Sequence, residues 1–131
     1  MPSIFTKIIN NEIPCFKIAE DADFIAFLDV FPLVKGHILV VPKQEIDYIF
    51  DMPAPAYTQL MAFAQKIAVA QKKAIECKRI AVAVIGLEVP HAHVHLIPIN
   101  VVDECNFSNP KKQFSTQEMQ DVAEAIKHFL V

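Results

Sequence analysis

Three of the five histidines lie close together, at every second position from His91 to His95. In a β-strand, alternate side chains project from the same face, so His91, His93 and His95 would line one face. The residues between them are apolar and would pack into the core. Two prolines, Pro90 and Pro98, bracket the run and argue against a helix. The spacing therefore predicts three imidazoles side by side on one face of a strand.

Such a row of imidazoles is compatible with three roles. The histidines could be structural, but a buried cluster needs a hydrogen-bond partner for every ring. They could hold a metal ion, because a His-x-His pair on a strand can supply two ligands, and Glu88 is the only acidic residue near the run. They could also catalyse reactions at phosphorus, because imidazole is neutral near pH 7, nucleophilic and a fair leaving group once phosphorylated. Spacing alone leaves the metal and catalytic roles open.

The two glycines of the chain both lie near histidines. Gly36 directly precedes His37, and Gly86 lies five residues before His91. Glycine lets the backbone approach a ligand closely and adopt a positive φ. This placement favours a phosphate-binding pocket beside the histidines.

The rest of the sequence predicts the elements that position these residues. Short apolar segments bounded by turn residues predict strands, and apolar residues at three- and four-residue steps after Pro53 and Pro55 predict a long helix. Ser115 to Glu118 matches a capping box at the start of a last helix. The predicted strands are 16–18, 24–28, 37–41, 80–85 and 91–99, and the last helix is predicted over 116–129. The run 80–85 is expected to be buried on both faces because it is continuously apolar. The order of strands, helix, strands and helix indicates an α+β domain with a mainly antiparallel sheet.

Composition limits the classes of protein to consider. Hydrophobic residues make up 53% of the 131 residues, which excludes intrinsic disorder, and the length predicts one domain over 1–131. The longest apolar run, Ile80 to Leu87, is too short to span a membrane. The net charge of −3 and the single arginine, Arg79, argue against a nucleic-acid partner. Because no signal peptide is visible and the three cysteines form no CxxC pair, we expect a cytoplasmic protein.

Four segments together resemble the histidine triad (HIT) family, in particular its nucleotide-binding, purine nucleoside phosphoramidase branch. The run His91-x-His93-x-His95-Leu96-Ile97 resembles the motif that names the family, and three earlier segments resemble its preceding blocks in the same order. The segments are Ile4–Pro14, Ala26–Pro32, Gly36–Lys43 and His91–Ile97. The resemblance implies an α+β fold with a mainly antiparallel five-stranded sheet, one long central helix, a C-terminal helix, and a homodimer whose sheets join into one.

The resemblance also implies a nucleotide hydrolase or transferase. It would cleave a substituent from the α-phosphate of a purine nucleotide, of the AMP-amine phosphoramidate type, with no cofactor and no metal. His93 would be the nucleophile that forms a nucleotidyl-histidine intermediate. His95 and His37 would contact or support the phosphate, His91 would orient its neighbours, and Asp29 would hold the ribose hydroxyls. The other nucleotide-binding positions that the resemblance implies are Ile4, Phe5, Ile8, Ile13, Phe27, Leu28, Val30, Leu39, Gly86, Leu87, Glu88 and Val89.

Two departures from the family pattern bear on activity. The family usually has Gln and Ser or Thr shortly before the triad, where this chain has Leu87 and Glu88, so two side-chain donors toward the phosphate or leaving group are missing. Glu88 would repel a phosphate, or it could serve as an acid for the leaving group. Some relatives begin a zinc site with Cys-x-x-Cys, where this chain has Ser3 and Thr6, so we expect no such zinc. The alternatives to the phosphoramidase are a nucleotide-binding module with little turnover, a dinucleoside polyphosphate hydrolase and a metal-binding protein.

Overall fold

An antiparallel sheet of five strands lies at the centre of the protein in a computed structural model that describes residues 2–130. The strands are β1 (Lys17–Glu20), β2 (Phe24–Leu28), β3 (Ile38–Pro42), β4 (Arg79–Ala83) and β5 (Val94–Ile99). The helices are α1 (Ile4–Ile9), α2 (Ala54–Ala74) and α3 (Thr116–His128), and short 3-10 turns cover Ile49–Asp51 and Val102–Cys105. The strands are ordered β1-β2-β3-β5-β4, and each neighbouring pair is antiparallel. This architecture confirms the predicted α+β class.

Helix α1 forms in the short apolar segment near the start of the chain. Ser3 caps it, because its hydroxyl oxygen accepts a hydrogen bond from the backbone amide of Thr6 at 3.0 Å. The helix ends at Asn10, and Asn11 follows with a φ of 62°, a left-handed conformation that asparagine tolerates. The cap therefore fixes where α1 begins and, as shown below, brings Ser3 close to the histidines.

Helices α2 and α3 cover one face of the sheet. The stripe of α2 that faces the sheet carries Leu60, Ala64, Ile67 and Ala70, all buried. The predicted capping box of α3 is present, with Ser115 accepting from the amide of Glu118 at 3.1 Å. Within residues 2–130, no helix combines the length and apolar character that crossing a lipid bilayer requires.

Strand β4 corrects one expectation. The run 80–85 was expected to be buried on both faces, but β4 covers Arg79–Ala83 and pairs only with β5, at an edge of the sheet. Val82 is 56% exposed, and Ile85 lies beyond the strand and is also exposed. The prediction was wrong because a continuous apolar run does not distinguish a central strand from an edge strand that carries apolar residues.

Strand β5 begins three residues later than expected, at Val94 instead of His91. The pairing of β5 with β3 ends where Val40 lies opposite Val94. Strand β3 itself ends two residues later, at Pro42, so the residues around His91 have no partner strand. The amide of His91 instead donates to Val89 O at 2.8 Å, and the amide of Ala92 donates to Ile46 O at 2.7 Å. The alternation of side chains nevertheless holds, because the residues between the histidines, Ala92, Val94 and Leu96, all lie in the core beneath α2 and α3.

Candidate active site

Four histidine rings meet on the face of the sheet that α2 and α3 leave uncovered. The antiparallel register of β3 and β5 places Leu39 opposite His95, so His37, just before β3, lies beside His95. The ring centroids of His37 and His95 are 5.2 Å apart, and those of His93 and His95 are 4.9 Å apart. All four rings, His91 included, are buried. The structure thus brings together the four residues for which the sequence predicted catalytic roles.

His91 is held by a backbone carbonyl on one side and a hydroxyl on the other. Its Nε2 lies 2.7 Å from the carbonyl oxygen of Pro42, and its Nδ1 lies 2.6 Å from Oγ of Ser3. Because a carbonyl can only accept, the ring proton lies on Nε2, and Nδ1 accepts from the Ser3 hydroxyl. Burial lowers the pKa of His91, which keeps this ring neutral.

His93 presents an unprotonated nitrogen at the centre of the site. Its Nδ1 lies 2.7 Å from the backbone carbonyl oxygen of His91, so Nδ1 carries the ring proton and donates it. In the neutral ring the Nε2 atom then keeps its lone pair, and the hydrogen bond at Nδ1 fixes the orientation of the ring. An oriented neutral imidazole with a free lone pair is suited to nucleophilic attack.

The His37–His95 pair presents a hydrogen-bond donor to the site, where His93 presents an acceptor. The backbone amide of Leu33 donates to Nδ1 of His37 at 3.1 Å, so the proton of His37 lies on Nε2. That Nε2 lies 2.9 Å from Nδ1 of His95, which accepts from it. The proton of neutral His95 consequently lies on its own Nε2, which becomes a donor beside His93.

Both rings of this pair are kept neutral by their surroundings. Burial, with smaller contributions from nearby Lys111 and His93, lowers the pKa of His37 to about 4. Burial, with smaller contributions from His37 and His93, lowers the pKa of His95 to about 3. Neutrality is what the assigned hydrogen bonds require, because a second proton on either ring would place two donors face to face.

Two aromatic rings contact the histidines. Phe5, from α1, packs edge-on against His93 with ring centroids 4.9 Å apart. Phe107, from the segment that follows the turn Val102–Cys105, packs edge-on against His95 with centroids 4.8 Å apart. These contacts help to bury the two imidazoles.

Asp29 lies at the edge of the histidine cluster. One carboxylate oxygen accepts from the amide of Phe31 at 2.9 Å, and the other lies 3.7 Å from Nε2 of His37. The backbone amide of Asp29 also donates to the carbonyl oxygen of His37 at 2.9 Å. The carboxylate is therefore oriented beside the imidazoles and retains capacity to accept further hydrogen bonds.

The cluster is better suited to hydrogen bonding than to holding a metal. Asp29, His37 and His95 form the only group of His, Cys, Asp or Glu side chains in residues 2–130 whose ligand atoms all lie within 4.8 Å of one another. A metal on Nε2 of His37 would displace the ring proton to Nδ1, where the Leu33 amide already donates. Both nitrogens of His91 are also engaged, so the three histidines of the motif do not direct their lone pairs at one point.

Some of the predicted nucleotide-binding residues form one apolar cluster on this face. Phe5, Phe27 and Leu39 are buried together there, with Ile8 and Val89 packed against them. Ile4 and Val30 are 50% and 55% exposed, and Ile13 is partly buried outside this cluster. Leu28 differs from these residues, because its side chain lies on the opposite face, in the core beneath α2 and α3. Its place next to Asp29 in sequence does not make it a neighbour, since successive strand residues point to opposite faces.

The loop before the triad is open to solvent. Gly86 has a φ of +73°, and a Cβ there would meet no atom within 4 Å. Leu87 is 90% exposed and Glu88 is exposed, so neither is packed against the histidines. By contrast Gly36, with a φ of +85°, lies in a tight turn where a Cβ would come within 3.0 Å of Ile75. Only the second glycine is required by close packing.

Three residues with contacts to the site were not among the predicted functional residues. Ser3 bonds to His91, Phe107 packs on His95, and Gln71 of α2 donates from behind the sheet to the carbonyls next to His37 and His95. Two signals were available for Ser3, which precedes an apolar run as an N-cap does and lies where some relatives begin a Cys-x-x-Cys zinc site. Nothing in the sequence near Phe107 or Gln71 indicates these contacts.

Comparison with known proteins places this geometry in a family. The sequence profile of the HIT domain matches residues 10–101. An HIT-like protein of Borreliella burgdorferi is 37% identical over 102 residues, which cover 72% of this chain and 73% of that protein. An adenosine 5'-monophosphoramidase of Schizosaccharomyces pombe is 34% identical over 103 residues, covering 75% of this chain and 74% of that enzyme.

A solved structure extends the likeness over nearly the whole chain. It is that of a HIT-like protein of Bartonella henselae involved in cell-cycle regulation, with a TM-score of 0.85 and 32% identity. The match covers 98% of this chain and 96% of that one. From the profile match, the sequence relatives and this structural likeness it follows that the chain belongs to the HIT domain family.

Proposed function

We propose that this protein is a nucleotide hydrolase or transferase that cleaves a substituent from the α-phosphate of a purine nucleotide through a nucleotidyl-His93 intermediate. The observation that carries the proposal is the pairing of a free lone pair on Nε2 of His93 with an N–H on Nε2 of His95. An AMP-amine phosphoramidate is the substrate class we favour, since the S. pombe relative is an adenosine 5'-monophosphoramidase.

The reaction would proceed in two displacements. In the first, Nε2 of His93 attacks phosphorus, the bond from phosphorus to the amine nitrogen breaks, and the amine leaves with a proton from solvent. In the second, water attacks phosphorus, the bond to Nε2 breaks, and AMP leaves while the water gives up a proton to solvent. His95 would donate its Nε2–H to a non-bridging oxygen in both transition states, where charge is spread over these oxygens.

The nucleoside would lie against the apolar cluster on the same face. Phe5, Phe27 and Leu39 offer an apolar surface for a purine, and Phe5 also contacts His93. The free capacity of the Asp29 carboxylate suits the ribose hydroxyls, because a carboxylate accepts from two neighbouring hydroxyl groups. The base, ribose and phosphate subsites would then follow one another along the uncovered face of the sheet.

Single-turnover kinetics with a fluorogenic AMP-amine phosphoramidate test this function, with wild type and His93→Ala side by side and a dinucleoside polyphosphate as second substrate. We expect release of the amine by wild type and none by the variant. Faster cleavage of the dinucleoside polyphosphate would replace the phosphoramidase assignment with that of a dinucleoside polyphosphate hydrolase. Absence of turnover on either substrate would contradict the proposal.

The nucleotide-binding module with little turnover is the second candidate. It is favoured by the loop before the triad, where Leu87 and Glu88 are exposed and cannot supply the neutral donors usual in the family. Under this alternative, wild type would bind AMP in calorimetry but release no amine in the single-turnover experiment.

We also propose that two copies of the chain join through the edge strand β4. An edge strand presents unpaired amides and carbonyls, and two antiparallel β4 strands related by a two-fold axis would pair them. Val82 on β4 and Val69 on the adjacent helix α2 are both more than half exposed, which suits a covered surface. Light scattering after gel filtration should give a dimer for wild type and a monomer for Val82→Lys. Val101→Lys, at an exposed valine outside the strand, is the control that should remain dimeric.

A further inference from the structure

A serine at the start of helix α1 reaches the histidine cluster from the other end of the chain. Oγ of Ser3 lies 2.6 Å from Nδ1 of His91, across 88 positions in sequence. Ser3 is only 6% exposed, so this contact is shielded from water. A buried ring nitrogen without such a partner would carry the full cost of its lost hydration.

Two hydrogen bonds of Ser3, and a third between the two residues that it bonds, fix the serine in place. Its hydroxyl accepts from the amide of Thr6 at 3.0 Å, and its own amide donates to a carboxylate oxygen of Glu45 at 2.7 Å. The hydroxyl of Thr6 donates to the same Glu45 oxygen at 2.6 Å. These bonds lower the pKa of Glu45, so the carboxylate stays ionised and continues to accept both donors.

The contact extends to the proposed nucleophile through one residue. The ring of His91 accepts a hydrogen bond from the Ser3 hydroxyl at Nδ1 and donates one from Nε2 to the carbonyl oxygen of Pro42. The backbone carbonyl of His91 accepts a hydrogen bond from the Nδ1–H of His93. Two side-chain bonds thus hold the His91 ring, and the carbonyl of the same residue fixes the tautomer of His93. Loss of either side-chain bond would allow the ring, and the short segment that carries it, to move.

We propose that Ser3 is a positioning residue that acts through His91 to keep His93 oriented with its Nε2 lone pair free. Its backbone amide is anchored by Glu45, and its hydroxyl supplies the one hydrogen bond that residues 2–130 offer to Nδ1 of this buried ring. The effect on turnover rests on the proposed function, whereas the effect on the imidazole rings does not.

The test combines two measurements on Ser3→Ala, Ser3→Thr and Ser115→Ala. Long-range ¹H–¹⁵N spectra of the nucleotide-free protein report the tautomers of His91 and His93, and steady-state kinetics separate kcat from KM. Ser115 is the matched control, since it caps α3 in the same way but lies away from the histidines. Ser3→Thr keeps the hydroxyl and is the conservative rescue.

We expect Ser3→Ala to shift the imidazole nitrogens of His91 and His93 and to lower kcat by about tenfold, with KM unchanged. Ser3→Thr should restore wild-type spectra and kcat, and Ser115→Ala should lower only the melting temperature. Wild-type spectra and kcat in Ser3→Ala would overturn the proposal, and so would an equal loss of kcat in Ser115→Ala. If Ser3→Ala does not fold, Glu45→Gln should show the same changes at smaller size, and unchanged spectra there would overturn the proposal.

The two measurements keep this proposal distinct from the proposed function. A wild-type protein without turnover whose ring nitrogens shift in Ser3→Ala would remove the function and leave the positioning role. A wild-type protein with turnover whose ring nitrogens and kcat do not respond to Ser3→Ala would contradict the positioning role and leave the proposed function.

Discussion

The His91–His93 pair and the His37–His95 pair are both built from imidazoles, but a backbone carbonyl orients the first pair and a backbone amide orients the second. In the first pair, the carbonyl of His91 accepts a hydrogen bond from the Nδ1–H of His93, which leaves the lone pair of the neutral ring on Nε2. In the second, the amide of Leu33 donates to His37, which donates to His95, so that the last ring ends in an N–H. A backbone carbonyl that bonds the first ring nitrogen thus leaves an acceptor in the site, and a backbone amide in the same role leaves a donor.

The comparison shows how one residue type supplies two chemical roles without any change of charge. Burial lowers the pKa of His91, His37 and His95, and the hydrogen-bond partners of the rings set the tautomers that distinguish the two pairs. The sheet makes this possible, because the register of β3 and β5 joins histidines from distant parts of the sequence.

The largest effect should come from removing the last ring of each pair separately. We expect His93→Ala to lower the rate of amine release on the order of 10⁴-fold or more, because the nucleophile is lost. His95→Ala should lower it about 10²–10³-fold, the usual value of one donor to a charged transition state. Single-turnover kinetics check both variants, and calorimetric AMP binding confirms that each retains its pocket. A greater loss in His95→Ala than in His93→Ala would reverse the assignment of the two roles.

The His37–His95 pair should make folding stability depend on acid. The pKa values of these rings, about 4 and about 3, lie below the ordinary 6.5, so the unfolded chain binds protons that the native state does not. The free energy of unfolding should therefore fall as pH drops from 6.5 towards 4, by up to about 1.4 kcal/mol per pH unit for each histidine. Denaturant unfolding at several pH values measures this slope.

Matched histidine variants locate the source of that slope. His37→Asn should reduce the slope, and His128→Asn, at an exposed histidine on α3, should leave it unchanged. An equal slope in wild type and His37→Asn would show that the buried pair does not control acid stability.

Gln71 supports only one of the two pairs, from behind the sheet. Its Nε2 donates to the carbonyl of Gly36 at 2.8 Å and to that of Leu96 at 2.9 Å, next to His37 and His95. Gln71→Met removes both bonds at similar volume and should cost about 1–3 kcal/mol of unfolding free energy. The ¹⁵N spectrum should change at His37 and His95 more than at His93. Gln65→Met, at an exposed site on the same helix, is the control, and equal shifts in both pairs would show that Gln71 does not act on one of them.

Glu88 belongs to neither pair and should have the smallest effect. It is exposed and makes no hydrogen bond to any residue in 2–130, so its carboxylate would act only by repelling the substrate. Glu88→Gln should raise kcat/KM about two- to threefold at low salt, and the gain should disappear at high salt. A changed preference among leaving amines would instead support the role of Glu88 as an acid for the leaving group.

Much of the fold follows from local patterns in the sequence. The capping box at Ser115, the prolines at the start of α2 and the alternation around the triad each predict an element that the structure contains. The edge position of β4 and the late start of β5 do not follow, because both depend on which strands find partners. Apolar runs report burial of side chains and not the order of strands in a sheet.

The site was predictable in its residues but not in its connections. The triad spacing and the family resemblance predict His37 and the three motif histidines, and the structure brings them together. The bonds to these rings from the backbone of Pro42 and Leu33 and from the hydroxyl of Ser3 were not predicted, because no sequence pattern reports them. The side chain of Leu28 lies away from the other predicted nucleotide-binding residues, because successive residues of a strand point to opposite faces of the sheet.

The most direct test of the central role of His93 is to identify the covalent intermediate. Wild-type protein is mixed rapidly with an AMP-amine phosphoramidate, quenched in alkali and digested, and its peptides are examined by mass spectrometry. We predict a mass increase of one AMP moiety on the peptide that contains residues 91–95, localised to His93 and absent in His93→Ala. An adduct on another residue, or turnover with no adduct at any quench time, would contradict the assignment of His93 as the nucleophile.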